Sequence, residues 1–169
     1  MTTDKRGTLL PVVLGVAAAV WVLDQVSKAI VVHVMATHAD IRLLGGWLTI
    51  TYTRNPGAAF SLGTGSTWLF TLIAVVVVVV ILRSSRNLGS TLWALCLGGL
   101  LGGAVGNLTD RIFRAPGLFQ GHVVDFIHPQ HFAVFNLADS AITCAAIGMV
   151  LLALFGVEFD GSRRGAAHE

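Results

Sequence analysis

Four long apolar stretches, separated by short polar ones, set the limits on what this chain can fold into. They cover residues 9–34, about 67–82, about 91–106 and about 137–157. A helix needs ~20 residues to cross ~30 Å of hydrocarbon, with ~17 as the lower limit, so the second and third stretches must draw on their flanks. Six consecutive valines, Val75 to Val80, would suggest a strand in water. In lipid, only helices and closed barrels satisfy their own backbone. The repeated alternating segments of a barrel are missing here. With 54% hydrophobic and 12% charged residues and a mean hydropathy of +0.77, the chain is expected to be an all-α integral membrane protein. Its 169 residues suffice for a single membrane domain, 1–169, built as a four-transmembrane-helix bundle.

The net charge of +2 is small, and no basic stripe interleaves with aromatic residues, which argues against nucleic acid as a partner. Cys96 and Cys144 both fall inside apolar stretches and read as free, buried thiols. Lys5 and Arg6, Arg83 and Arg86, and Arg163 and Arg164 fall on one side of four crossings. Arg42, Arg54, Arg111 and Arg114 fall on the other, beside Asp40, Asp110 and Asp125. The positive-inside rule then places both termini in the cytoplasm. The first apolar stretch runs past Ala17-Ala18-Ala19 through Trp21, Val22 and Leu23, so it reads as a retained anchor rather than a cleaved leader.

The few charged groups inside or beside the apolar stretches carry the functional signal. Asp24 and Lys28 stand four apart on one face of the first helix, acid before base, the favourable order for a pair along a helix. Such a pair must face the bundle interior or water, and reads as a structural tie more readily than as a catalytic group. Gly98, Gly102 and Gly106 form one four-residue ladder and Gly99 with Gly103 another, which lets helices approach closely. The third helix then meets a polar cluster, Asn107 to Arg111. At 1.5 Å per residue this cluster lies near the outer boundary of the hydrocarbon, and Asp139 lies at similar depth in the first turn of the fourth helix.

Asp125 and Asp139 are 14 residues apart and each sits among apolar residues. A buried carboxylate is costly unless paired or neutralised, so two of them converging at a membrane boundary read as an acid/base pair. The loop 110–136 need only fold back for them to meet. The outer segment, about 40–62, contains Trp47 to Thr53, with Leu48, Ile50 and Tyr52 on one face and Thr49, Thr51 and Thr53 on the other. That is a half-buried strand running into a Pro56-Gly57 turn, a small sheet on the membrane surface able to hold an extended peptide.

Two other readings compete. His122, Asp125, His128 and His131 recur every three residues as possible metal ligands. On a helix they would drift around its surface, Pro129 interrupts any helix, and no HExxH signature is present, so no metal is expected. A small proton-coupled transporter using Asp24, Asp125 and Asp139 is the alternative function. The acids gather at one boundary, however, and the halves show no inverted repeat.

Five motifs carry a family resemblance: Leu23-Asp24-Gln25-Val26-Ser27-Lys28, Thr53 to Phe60 (TRNPGAAF), Gly106-Asn107-Leu108-Thr109-Asp110-Arg111, Val123-Val124-Asp125-Phe126 and Phe135-Asn136-Leu137-Ala138-Asp139-Ser140. Together, in this order, the chain resembles the lipoprotein signal peptidases, the type II signal peptidases that are intramembrane aspartyl proteases of bacteria. The loop 112–121 falls outside the match. The resemblance implies four transmembrane helices, a small periplasmic β-cradle and a short periplasmic helix in the bacterial inner membrane, with the active site near the periplasmic face. It implies hydrolysis of the peptide bond just before the diacylglyceryl-modified cysteine of a prolipoprotein, by a monomer in contact with membrane lipid and without a cofactor. By motif, Asp125 and Asp139 would be the catalytic dyad. Asn55, Gly57, Asn107, Asp110, Arg111, Asn136 and Ala138 would line or brace the site, and Asp24 and Lys28 would be a supporting polar pair. Arg111 or Asn55 would meet the developing oxyanion or substrate carbonyls, although Arg54 and Arg111 read equally well as interfacial anchors.

Overall fold

The computed structural model describes residues 9–57, 67–85 and 88–162. Lys5, Arg6, Arg86, Arg163, Arg164 and the stretch 58–62 of the outer segment lie outside the described residues. Among those described, four helices and one sheet follow in order: α1 Leu10–Met35, β1 Ile41–Leu43, a 3-10 turn Leu44–Gly46, β2 Leu48–Asn55, α2 Thr67–Ser84, α3 Thr91–Phe113, β3 Val123–Pro129 and α4 Leu137–Leu154. Three of the helices, α1, α3 and α4, are long and apolar enough to cross a membrane; Trp68–Ser84 is apolar and shorter.

Each helix start has a local cause. Pro11 stands in the first turn of α1, where a missing N–H costs no hydrogen bond. Ser90 caps α3 through its hydroxyl oxygen, and Asn136 with Asp139 forms a reciprocal capping box on α4. Helix α3 runs seven residues past the end expected from hydropathy. Asn107, Asp110 and Arg111 are helical because the bundle supplies partners for the polar side chains, so polarity here does not mark a helix end. Helix α4 stops at Leu154, three residues short of the expected boundary, and Gly156 follows in the left-handed region at φ 67°.

Helix α3 lies at the centre, packed against α1, α2 and α4. Its two glycine ladders face two different neighbours. A Cβ on Gly98 or Gly102 would run into Val13–Val20 of α1, and one on Gly103 would meet Ala138 and Ile142 of α4. At Gly102 the Cβ would lie 2.6 Å from the Ala17 carbonyl oxygen, which is backbone and cannot swing away. Gly102→Val is expected to destabilise the bundle by about 1–3 kcal/mol or more, as overpacking does, read as a lower melting temperature in detergent. An unchanged melting temperature would mean that α1 and α3 have room to separate.

The sheet has the order β1-β2-β3, all antiparallel. Its third strand comes from the stretch 110–136, expected from the sequence as a loop. The cue was present in Val123, Val124, Phe126 and Ile127, β-branched and aromatic residues closed off by Pro129. Val124 and Phe126 pack with Val31 and Met35 of α1, and Ile50 and Tyr52 of β2 lean on the same cluster. This contact fixes the sheet on the end of α1. The β2–β3 register shifts between Ile50 and Thr53, after which Thr53 pairs with Asp125 and Asn55 with Val123. A separate bridge, Ile127 to Phe135, folds the chain back so that α4 begins beside β3.

Candidate active site

The capping box of α4 organises the carboxylates. The Asn136 side-chain oxygen accepts from the Asp139 N–H at 3.0 Å, and Asp139 Oδ2 accepts from the Asn136 N–H at 3.2 Å. Asp139 is thus folded over the first turn of its own helix, where the N–H groups favour negative charge. The other end of Asn136 reaches β3, its Nδ2 donating to Asp125 Oδ1 at 2.6 Å. Asn55 Nδ2, at the end of β2, donates to the second oxygen of Asp125 at 2.9 Å, and Asn55 Oδ1 in turn accepts from the Gly57 N–H. Gly57 has φ +109°, which a side chain would strain, and a Cβ there would press on Phe70. One residue, Asn136, therefore contacts both carboxylates, Asp125 on the strand through its side chain and Asp139 on the helix through its backbone N–H.

A second layer lies under this one. Asn107 Nδ2 donates to Asp139 Oδ1 at 2.7 Å, while Asn107 Oδ1 accepts from Lys28 Nζ at 3.0 Å and from Asn136 Nδ2 at 3.2 Å. Lys28 is fully buried, with Asp24 at 2.8 Å and Asp110 at 3.0 Å. Asp24 also accepts from the Ala138 N–H of α4, and Asp110 from the Val124 N–H beside Asp125. Arg114 pairs with the far oxygen of Asp110. Two carboxylates and two cations thus balance, and each buried acid also pins a backbone N–H next to a member of the carboxylate pair. A buried charge is tolerated when it is both paired and hydrogen-bonded.

Two members of this layer, Gln25 and Arg114, are not among the site residues expected from the sequence. Gln25 Nε2 donates to Asp24 and to the Gly106 carbonyl oxygen. Arg114 appeared only as an outer basic residue. Gln25 adjoins Asp24, and Arg114, the residue that ends α3, lies four positions after Asp110, so spacing alone offers a cue for the second. Arg111 lies with its guanidinium 5.6 Å from the Phe70 ring centre, and its buried Nη1 has no hydrogen-bond partner among the described residues. Asp125, Asp139 and Asp110 are its electrostatic neighbours. Arg54 bonds to the Tyr52 hydroxyl at the exposed surface instead. Asp125 and His128 are three apart on β3, hence on opposite faces, and among the described residues no group of three His, Cys, Asp or Glu is placed to hold a metal ion.

Asp125 is 2% exposed. Burial above all, with repulsion from Asp139, pushes its carboxyl up from the ordinary 3.8 to about 6, against the pull of the Asn55 and Asn136 hydrogen bonds and of Lys28. Two nearby carboxylates, one of them holding its proton well into the acid-neutral range, form a group able both to accept and to donate a proton. A cavity of about 420 Å³ opens beside Asp139, walled by Phe132, Phe135, Ser140, Thr143 and Cys144.

A family model described as signal peptidase (SPase) II matches residues 16–155. The chain belongs to the signal peptidase II family. It is 54% identical to a lipoprotein signal peptidase of Streptomyces coelicolor over 95% of this chain and 78% of that one. It is 50% identical to the Rhodococcus jostii lipoprotein signal peptidase, over 96% and 81%. For Mycobacterium tuberculosis the identity is 48%, over 89% and 75%. A solved bacterial membrane enzyme, determined by the in meso method at 2.3 Å resolution, superposes with a TM-score of 0.73 at 28% identity, covering 84% of this chain and 87% of its own. Family membership makes this chain an aspartic peptidase with apolar membrane-crossing helices. It lends nothing to the alternative of a proton-coupled transporter.

Proposed function

We propose that this family member cleaves the signal peptide of diacylglyceryl-modified prolipoproteins immediately before the lipidated cysteine, with Asp125 and Asp139 as its catalytic dyad. The observation that supports the assignment is that Asn136, at the capped end of α4, donates to Asp125 from its side chain and to the Asp139 carboxylate from its backbone N–H. The ionised member takes a proton from water, whose oxygen attacks the scissile carbonyl. The protonated member donates to that carbonyl oxygen, and the proton then passes to the departing amine of the cysteine as the C–N bond breaks. The pair titrates as a unit, so either aspartate can serve as the initial base.

Asn107 and Asn136 orient the dyad, and Asn55 with Gly57 holds Asp125. Asp110 and Ala138, through their backbone and side-chain bonds, brace β3 and α4. The Arg111 guanidinium nitrogen that has no partner among the described residues is suited to a substrate carbonyl oxygen or to the developing oxyanion. Helix α2 supplies the fourth crossing. The protein works as a monomer in the bacterial inner membrane, with both termini cytoplasmic, the site at the periplasmic face and membrane lipid around it.

The test is cleavage of a diacylglyceryl-modified prolipoprotein peptide by the purified protein, in the presence of a metal chelator, followed by mass spectrometry across pH. Turnover before the lipidated cysteine supports the reading; a folded protein that never cleaves sinks it. The Asp125 carboxyl is raised to about 6, so the pair loses the proton it shares as pH rises through that value. For the free enzyme, kcat/KM is therefore expected to fall above about pH 6, approaching tenfold per unit. The same shift has a stability sign. The folded state holds this proton more tightly than the unfolded chain, so its contribution is full below about pH 4 and disappears as pH rises through about 6.

A further inference from the structure

The sheet ends in an apolar tip that is exposed among the described residues. Leu44 is 75% exposed, Trp47 60% and Leu43 41%. Leu44 sits at φ 51°, a region that leucine rarely occupies. Side chains built on the next residues, Gly45 and Gly46, would meet none of the described residues within 4 Å. A second exposed ring adjoins this tip. The Gln130 N–H donates to the Trp47 carbonyl oxygen at 2.8 Å, and Leu48 pairs with Pro129, which sets the 130–132 turn beside the hairpin. Phe132 in that turn is 65% exposed.

The position of Phe132 says which way this patch faces. Phe132 walls the same cavity as Thr143 and Cys144 of α4. Cys144 lies five residues beyond Asp139, roughly 7.5 Å along the helix at its usual rise. Beyond it the same helix exposes Ile147, Val150 and Leu151, the surface of a membrane-crossing segment. The apolar tip is thus continuous with a lipid-facing helix surface and stands near its end. Arg42, exposed between Ile41 and Leu43, adds a cation beside the tip, suited to a lipid phosphate.

We infer that the β1–β2 tip and Phe132 insert together into the lipid leaflet on the carboxylate side, anchoring the sheet in the membrane interface. Large exposed apolar groups gathered in one patch are the mark of such a surface, and Trp favours that depth. Because β3 is hydrogen-bonded to β2 and ends at the anchored turn, the anchor also sets the height of Asp125 over the bilayer.

The test places an environment-sensitive fluorophore at Leu44→Cys or at Phe132→Cys, in the full chain with Cys96 and Cys144 changed to alanine. The labelled protein is reconstituted in phosphatidylglycerol–phosphatidylcholine vesicles, and its helix content is checked by circular dichroism. Lipids brominated near the top of the acyl chains are expected to remove about half of the emission at both positions, as for groups buried 5–10 Å into the interface, with aqueous iodide having little effect. Quenching by iodide with none from bromolipid would place the tip in water and overturn the inference. Shielding from both quenchers would mean that protein covers the tip, the flanking outer segment or a second copy, and would overturn it equally.

Discussion

Asp139→Asn, and separately Asp125→Asn, is expected to reduce cleavage of a lipidated prolipoprotein peptide by about 10⁴-fold or more, the scale of losing a positioned acid or base together with its partner's charge. The substitution is nearly isosteric. At position 139 both oxygens accept, from the Asn136 N–H and from Asn107 Nδ2, so an asparagine keeps one contact and turns the other donor-to-donor, a local cost that should leave the fold and membrane insertion in place. At position 125 both oxygens likewise accept, from the side-chain amides of Asn55 and Asn136. An asparagine there turns one of those contacts donor-to-donor, and one neighbouring amide must flip to restore it. The measurement is single-turnover cleavage followed by mass spectrometry, with helix content by circular dichroism as the control. Turnover within about tenfold of wild type by either folded variant would remove that residue from the dyad, since general acid or base catalysis alone contributes more than this.

Lys28→Met is expected to act through the fold. It leaves Asp24 and Asp110, both fully buried, without the cation that lies 2.8 and 3.0 Å from them. Removing one partner of a buried ion pair costs about 3–5 kcal/mol, because the remaining charge stays desolvated. Asp110 keeps Arg114, so most of the loss should come from Asp24. The double change Lys28→Met with Asp24→Asn should then be less harmful than Lys28→Met alone, while the Asn oxygen still caps the Ala138 N–H. Melting temperatures in detergent for wild type, both singles and the double complete the cycle. Strictly additive losses would show that the two residues do not act as a pair.

The residue pattern of this chain was enough to read its membrane class, the helical stretches and the strand around Ile50 and Tyr52, because hydropathy and periodicity are local properties. It also marked the polar residues on which the candidate site rests, since a carboxylate beside Val124 or Ala138 is conspicuous in so apolar a chain. Local pattern misjudged the end of α3. There, polarity at Asn107 to Arg111 looked like a boundary, and only the neighbouring helices supply the partners that keep those residues helical. It was silent on β3, whose pairing with β2 joins residues about 70 positions apart. It did not reveal that Lys28 is shared between Asp24 and Asp110, or that each acid holds a backbone N–H beside Asp139 or Asp125. Those facts depend on which surfaces pack together: the Gly98–Gly102 face against α1, the Gly103 face against α4, and the sheet on the end of α1. Charge type and spacing are written along the chain, but burial, partner and proton affinity belong to a position in space, and tertiary packing alone decides them.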